Sequence, residues 1–204
     1  MKRGREYLLR AIESIRADAI ILYVNPLQEI LQEGGDADYG GVLDKLEQIL
    51  DDFPYPVLLK EVGFGLPDSL LAWIGSRNVA GADVAGLGGT NWARIEGSIR
   101  GRDFSLYEGL GRRTKEVLLA GRKHLREDQC LVASGGIRTG LHMAKALALG
   151  AHMVSMGLPF LKWADASVDE IALGFERLRE ELQVAMWHTG SREVAALKGK
   201  CDSV

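Results

Sequence analysis

The sequence has little of several features that mark particular protein classes. It contains only two cysteines, Cys130 and Cys201, which are too few for a disulfide scaffold. No apolar run approaches the ~20 residues that a membrane-spanning helix needs, and the charged N-terminus lacks the apolar core of a signal peptide. The 25 basic residues do not exceed the 28 acidic ones, so the positive excess typical of nucleic-acid binding is absent. We therefore expect a globular cytoplasmic protein that binds neither nucleic acid nor membranes.

Glycine, in contrast, is abundant. It makes up 25 of the 204 residues, about 12% against a typical ~7%. The glycines are clustered, mostly directly after apolar runs, at positions 34–35, 40–41, 63 and 65, 86–89 and 135–136. Such clusters are typical of the loops between a strand and the following helix, where the backbone must approach a ligand closely.

Apolar and amphipathic segments alternate along the chain. Five apolar runs are continuous, as in parallel strands covered by helices on both faces, and lie at residues 19–24, 56–62, 82–87, 130–134 and 153–157. Helical patterns lie at residues 5–16, 42–50, 67–74, 114–125, 139–149, 168–186 and 192–197. This order predicts a parallel α/β architecture. Residues 88–114 form a polar connection that is unusually long unless it is functional or disordered.

Polar segments follow the first two predicted strands, where α/β folds place their sites. Residues 25–29 (NPLQE) offer an amide and a carboxylate to a polar head group and a hard cation. The same residues also fit a plain helix start with Glu29 near the positive end of the dipole. Residues 60–65 (KEVGFG) place Lys60 at a strand end, where it either pairs with Glu61 or another carboxylate, or contacts an anion or cofactor.

Glycine-rich segments follow the next two strands. Residues 86–92 (GLGGTNW) can wrap backbone N–H groups around an anion, although no Walker-type lysine follows. Residues 134–140 (SGGIRTG) lead into a helix and supply backbone donors and the guanidinium of Arg138. With residues 156–160 after the last strand, they predict a phosphate site of the kind that (β/α)₈ barrels hold. The histidines show no metal-ligand spacing, so no zinc site is expected.

These segments, in this order, resemble type II isopentenyl-diphosphate isomerase. The resemblance runs through nearly the whole chain and is carried by residues 25–29, 60–65, 83–96, 134–140, 144–151 and 183–190. It implies an FMN-dependent TIM barrel that interconverts isopentenyl and dimethylallyl diphosphate. It also implies reduced FMN, Mg²⁺ and a reductant such as NADPH, with the flavin transferring protons while the protein binds and orients the substrate.

The resemblance further implies roles for individual residues. Asn25 and Gln28 would contact the substrate, and Glu29 would hold the Mg²⁺ that bridges its diphosphate, so that Gln28 and Glu29 are the catalytic candidates. The residues that would bind FMN are Lys60, Thr90, Gly136, Ile137, Arg138, Gly157 and Leu158.

The chain departs from the family pattern in three respects. Tyr23 stands in place of a histidine. Residues 110–114 (LGRRT) replace a Gly-Ile-Pro-Thr pattern, and Gly157-Leu158 replaces Ala-Arg. The chain also has five predicted strands where the family barrel has eight, so we expect a partial TIM barrel over residues 1–190 and a short helix with a tail over 191–204.

A partial barrel has consequences for association and leaves other functions open. Five strands cannot close such a barrel, so open strand edges should bind a second copy of the chain or a complementing N-terminal half. One alternative function is a non-catalytic homologue that keeps the flavin or phosphate site. Another is a different FMN barrel, such as a hydroxy-acid oxidase or a dihydroorotate-dehydrogenase relative. The catalytic histidine expected there before the phosphate loop is absent, and such barrels do not call for NPLQE.

Overall fold

The computed structural model describes residues 4–203, so residues 1–3 of the predicted barrel domain and residue 204 of the predicted tail lie outside the described part. The strands are β1 (Ile20–Tyr23), β2 (Val57–Lys60), β3 (Gly81–Asp83), β4 (Cys130–Ala133) and β5 (Met153–Val154). The helices are α1 (Arg5–Ile15), α2 (Pro26–Leu31), α3 (Val42–Leu50), α4 (Asp68–Gly75), α5 (Trp92–Arg100), α6 (Thr114–His124), α7 (Gly140–Ala148), α8 (Leu158–Ala166) and α9 (Val168–His188).

The strands form one parallel sheet in the order β1-β2-β3-β4-β5. The prediction of a partial (β/α)₈-type barrel with five strands is therefore confirmed, although each strand is shorter than its apolar run. Tyr23 lies opposite Lys60, and Lys60 lies opposite Asp83. This register brings the loops that follow the strands to a single edge of the sheet, where parallel α/β folds bind ligands.

The main core lies between the sheet and the helices on its outer face. Buried leucine and isoleucine side chains of α3, α4 and α6 pack against Leu59, Ala82 and Leu131 of the sheet. The other face is largely open, since the side chains of Ile21, Tyr23 and Met153 are 51%, 60% and 59% exposed. Within residues 4–203, β1 and β5 each have a neighbour on one side, which agrees with the expected open edges.

The long connection after β3 is more regular than the sequence indicates. Residues 92–100 form α5, and a 3₁₀ turn follows at Ser105–Tyr107. The side chain of Asn91 caps α5 by accepting a hydrogen bond from the N–H of Arg94 at 3.2 Å. Ala93 is fully buried in a cluster with Leu31 and Phe64, and Glu96 and Gly97 are the other buried residues of the helix. No helix was predicted from the sequence in this polar connection, because only a narrow face of α5 is buried.

The C-terminal segment packs against the last helices of the sheet layer. The predicted helix at residues 192–197 is a 3₁₀ turn, Val194–Leu197, and Leu197 is fully buried beside Ala144 and Leu147. The N–H of Gly199 donates to the carbonyl of Ala148 at 2.9 Å. Residues 191–203 are thus attached to α7 by both apolar contacts and backbone hydrogen bonds.

The longest helix, α9, has 21 residues and begins at a Ser167 cap, whose hydroxyl accepts from the N–H of Glu170 at 3.1 Å. Acidic and basic residues are spread along its length. Neither α9 nor any other helix of residues 4–203 is long and apolar enough to span a membrane.

The pairing of β4 with β5 depends on a neutral histidine. The backbone N–H of His152 donates to the carbonyl of Leu131, and the N–H of Leu131 donates to Nδ1 of His152 at 2.9 Å. Burial, followed by the charges of Arg122 and Lys198, lowers the pKa of His152 from its ordinary value of 6.5. The unfolded chain therefore binds more protons than the folded chain just below pH 6.5, and the free energy of unfolding should decrease there as the pH is lowered.

We predict that replacing His152 with Asn, whose amide oxygen accepts but does not titrate, reduces this loss. Urea unfolding at pH 7.5 and 5.5 should show a smaller decrease in the free energy of unfolding for the variant than for the natural chain. His124, His142 and His188 remain in both proteins, so the difference reports on His152 alone. An equal decrease in both proteins would contradict the assignment.

Candidate functional site

The structure brings the seven residues predicted to bind FMN to one place. They line a cavity of about 210 Å³ at the carboxyl ends of β2 to β5: Lys60, Thr90, Gly136, Ile137, Arg138, Gly157 and Leu158. The cavity is smaller than the ~300–1,000 Å³ of a pocket for a complete drug-sized ligand. It has room for a phosphate group and the part of a molecule attached to it.

The loop between β4 and α7 forms one wall of this cavity. Gly135 and Gly136 have φ values of 94° and 77°, which glycine adopts without strain. A Cβ on Gly136 would lie 2.5 Å from the carbonyl oxygen of Gly88, so the loop also needs glycine for its close approach to the loop after β3. The Arg138 guanidinium donates to that carbonyl at 2.9 Å. The glycine backbone of this loop and the guanidinium of Arg138 suit an anion, whereas the N–H of Gly140 at the start of α7 already donates to the carboxylate of Glu181 at 2.6 Å.

The hydroxyl of Thr114 attaches the start of α6 to the same loop. Its Oγ1 donates to the carbonyl of Gly135 at 2.6 Å and lies 3.2 Å from that of Ser134. The helix α6 begins at Thr114 itself, and its cap position is Arg113. The side chain of Thr114 thus holds the phosphate loop instead of the helix end.

Lys60 forms the opposite wall at the end of β2. Its Nζ donates to the backbone carbonyl of Glu61 at 2.7 Å. The carboxylate of Glu61 accepts instead from backbone N–H groups of residues 63–65. An ion pair between these neighbours, one of the interpretations open on the sequence, is therefore not formed, and Lys60 remains on the cavity wall.

A buried carboxyl lies directly behind the cavity. Asp83 is 5% exposed and accepts hydrogen bonds from the hydroxyl of Ser134 and from the N–H of Ala85 at 3.3 Å. Burial raises the pKa of Asp83, while the Ser134 hydrogen bond and the positive charge of Lys60 partly oppose the rise. No role for Asp83 was predicted from the sequence, although a carboxylate that ends a buried strand is a visible signal.

The residues of the NPLQE segment divide between two surroundings. Asn25 is 1% exposed; its Oδ1 accepts from the N–H of Gln28 at 3.2 Å, and its Nδ2 donates to Gln28 Oε1 at 2.8 Å. Gln28 Nε2 in turn donates to Glu96 of α5 at 3.2 Å. The oxygen of the Asn25 side chain thus caps α2, and its nitrogen holds the side chain of Gln28. The substrate contact predicted for Asn25 stays a prediction.

Glu96 is the functional candidate that sequence reasoning missed. It is 6% exposed and reaches Gln28 across 68 positions of the chain. Because no helix was predicted within residues 88–114, the position of Glu96 on the buried face of a helix was not recognised. The cap signal at Asn91, with small Ala93 and Gly97 on the same helical face as Glu96, could have revealed the helix and its inward carboxylate.

Glu29 faces away from Gln28, into a groove of about 530 Å³ beside β1. Its Oε2 accepts from Gln32 Nε2 at 2.7 Å and from the N–H of Asp36 at 2.9 Å. Burial, followed by the charge of Glu29, raises the pKa of Tyr39 to about 12. Within residues 4–203, no three His, Cys, Asp or Glu side chains are grouped closely enough to hold a metal ion, so Mg²⁺ there would need substrate oxygens as further ligands.

Comparison with known proteins agrees with the resemblance noted on the sequence. Residues 111–202 match the family model of FMN-dependent dehydrogenase. An isopentenyl-diphosphate delta-isomerase of Deinococcus radiodurans is 40% identical in an alignment of 201 positions that covers 96% of this chain and 58% of that protein. The protein of the same name from Stutzerimonas stutzeri is 41% identical in an alignment of 205 positions, gaps included, that covers 96% of this chain and 58% of the relative.

The fold likewise agrees with solved structures. A mandelate oxidase variant with a monooxide FMN adduct superposes with a TM-score of 0.63 over 97% of this chain and 59% of the other, at 21% identity. That likeness concerns the fold alone. The resemblance to isopentenyl-diphosphate isomerase is thus confirmed, and the chain spans somewhat over half the length of the curated relatives that it matches.

We predict that Gly136→Ala disturbs this site whereas Gly157→Ala does not. A Cβ at Gly136 would collide with Gly88 and require a left-handed backbone, whereas a Cβ at Gly157 would meet no atom within 4 Å. The first change should lower the free energy of unfolding by about 2 kcal/mol or more, and the second by less than about 1 kcal/mol. Urea denaturation measures both, and equal losses would contradict the close approach of the two loops.

Proposed function

We propose that this chain is the FMN- and diphosphate-binding part of an isomerase that interconverts isopentenyl and dimethylallyl diphosphate. The observation that carries the proposal is the convergence of the seven predicted FMN-binding residues on one cavity. The identity of about 40% to isopentenyl-diphosphate delta-isomerases supports it further. The substrates, the need for reduced FMN and Mg²⁺, and a place in isoprenoid synthesis are parts of the proposal.

The cavity suits the phosphate end of FMN. Gly135 and Gly136 expose backbone without side chains, and Arg138 adds a cation at the same wall. Lys60 would lie near the ring system, where a positive charge stabilises negative charge on a reduced flavin. Reduced FMN, once bound, would supply the acid and base for moving the proton within the substrate. NADPH is proposed only as the electron source that reduces the flavin.

The protein's own residues would hold the substrate from two sides of α2. Asn25 and Glu96 restrict Gln28 to one orientation, since Asn25 Nδ2 donates to Gln28 Oε1 and Glu96 accepts from Gln28 Nε2. Glu29 would provide the single protein carboxylate for Mg²⁺, and the diphosphate oxygens would complete the shell. The ion would then neutralise the diphosphate while Gln28 orients the carbon skeleton.

We further propose that the open face of the sheet is covered by another chain, either a second copy or a complementing half. Support comes from the exposed Ile21, Tyr23 and Met153 and from the edge positions of β1 and β5. The protein should either show a mass above the 22.3 kDa of one chain in light scattering or bind a hydrophobic dye at its exposed apolar surface. A monomer that binds no hydrophobic dye would contradict this part of the proposal.

Replacing Arg138 with Ala should weaken FMN binding at least about tenfold, since a hydrogen bond to a charged group contributes roughly 1.5–3 kcal/mol. Quenching of FMN fluorescence during titration measures the Kd. The matched control is Arg177→Ala, which removes an exposed guanidinium from α9, away from the cavity. Equal affinities of the Arg138 variant and the natural chain would contradict the assignment of the phosphate site.

Replacing Glu29 with Gln should reduce isomerisation at least about 100-fold and abolish its dependence on Mg²⁺, because the metal supplies several kcal/mol of charge stabilisation. Conversion of isopentenyl diphosphate is followed with reduced FMN and Mg²⁺, with and without an added N-terminal half. Glu33→Gln, an exposed change in the same segment, is the control. Absence of turnover in every combination would contradict the isomerase proposal.

A second candidate, a non-catalytic flavin- or phosphate-binding homologue, is favoured by Tyr23, which stands where the resemblance implies a histidine and is 60% exposed beside the Glu29 groove. Binding of FMN without isomerisation, lost in Arg138→Ala or Lys60→Ala, would support it. Flavin reduction by lactate-like or dihydroorotate substrates would instead support an oxidase-type barrel.

A further inference from the structure

Glu61 is a buried carboxylate that directly follows β2. It is 4% exposed, and one of its oxygens, Oε2, accepts from three backbone N–H groups: Gly63 at 2.6 Å, Phe64, and Gly65 at 2.9 Å. Buried carboxylates are rare unless they are paired or fully hydrogen-bonded. Here consecutive amides of one turn point at a single oxygen and compensate its charge.

Such a concave turn of N–H groups is the arrangement that binds external anions in many proteins. In this chain the position is filled by the protein's own carboxylate. The N–H groups of Gly63 and Gly65 therefore bind an internal anion, while the backbone of Gly63 also lies on the cavity wall. Lys60, whose Nζ donates to the carbonyl oxygen of Glu61 at 2.7 Å, is held by the same residue through its backbone.

The turn that Glu61 closes is also a wall of the candidate cofactor cavity. Val62 and Gly63 line the cavity together with Lys60 and Thr90. A Cβ on Gly63 would lie 2.5 Å from the carbonyl oxygen of Thr90, so the turn is in direct contact with the loop after β3. Trp92 Nε1 donates to the carbonyl of Val62 at 3.0 Å and holds the turn from the other side.

We propose that Glu61 is a positioning residue for the cofactor site: by closing the turn over residues 63–65, it sets the positions of Lys60 and of the cavity wall at Gly63. This inference rests on the proposed function, since it takes FMN as the ligand of the cavity. Glu61 itself does not line the cavity and would not contact the flavin.

The test compares Glu61→Gln, Glu61→Ala and the control Glu180→Gln. The Gln variant keeps the shape and one acceptor oxygen but loses the charge that strengthens all three hydrogen bonds. The Ala variant leaves the buried N–H groups of Gly63 and Phe64 without their acceptor, whereas the N–H of Gly65 keeps its hydrogen bond to the carbonyl of Ala85 at 3.0 Å. Glu180 is an exposed carboxylate on α9, so the control has the same change of charge at a distant surface position.

The Kd for FMN is measured by fluorescence at a temperature where circular dichroism shows each variant folded. We expect it to rise about tenfold for Glu61→Gln, more for Glu61→Ala, and not at all for Glu180→Gln. Hydrogen exchange at the amides of residues 63–65 should accelerate in the Glu61 variants. A residue with only a structural role would change the melting temperature but leave the affinity of the folded protein and the absorption spectrum of bound FMN as they are.

The outcomes separate this inference from the proposed function. Failure of the natural chain to bind FMN would overturn the cofactor assignment and this inference with it. Normal FMN binding by the natural chain and by a folded Glu61→Gln variant, with unchanged exchange at residues 63–65, would overturn this inference alone. Should Glu61→Ala not fold, the Gln variant still decides the question.

Discussion

The loop after β3 and the loop after β4 lie backbone against backbone, and the site depends on that contact. A Cβ on Gly135 would lie 2.1 Å from the carbonyl oxygen of Gly86, and one on Gly136 would lie 2.5 Å from that of Gly88. No other residue type fits between these loops. Their contact allows Arg138 to reach the Gly88 carbonyl and brings Thr90 into the same cavity as Gly157. The parallel sheet provides the frame, and the glycines determine how closely the loops approach one another.

Buried carboxylates organise the same edge of the sheet, and each has a different set of donors. Glu61 accepts from a turn of backbone amides, Asp83 from Ser134 and Ala85, and Glu96 from Gln28. A buried charge is costly unless its partners are fixed. Each carboxylate therefore requires its loop or helix to keep one conformation. The carboxylates stabilise the arrangement of the donors around the cavity even where they do not line it.

The pattern of apolar runs was sufficient to predict the fold, because parallel strands covered by helices are continuous in hydrophobicity and are separated by amphipathic helices. It predicted that five strands exist, and it predicted α3 with the same bounds that the structure shows. It failed for α5 and α8, since α5 buries only Ala93, Glu96 and Gly97, and no residue of α8 is buried. Where little of a helix is buried, hydrophobic periodicity carries little information.

The site was predictable to the extent that it consists of consecutive residues. Residues 134–140 directly follow a predicted strand and Lys60 lies at the end of another. Parallel pairing brings these strand ends together. The distant partners, Glu96 of Gln28 and Ser134 of Asp83, lie 68 and 51 positions away, so only the folded chain shows them. The role of Glu61 is local, but whether a carboxylate points to its own turn or to a neighbouring lysine depends on backbone dihedrals that residue types do not specify.

The short helix α2 shows how adjacent residues acquire separate tasks. Successive residues of a helix are rotated by about 100°, so Gln28 and Glu29 cannot face the same surroundings. Gln28 lies towards α5 and is held by Asn25 and Glu96, whereas Glu29 lies towards the groove of Asp36 and Tyr39. A single turn of helix, fixed at its start by the Asn25 cap, thus presents an oriented amide on one side and a carboxylate on the other.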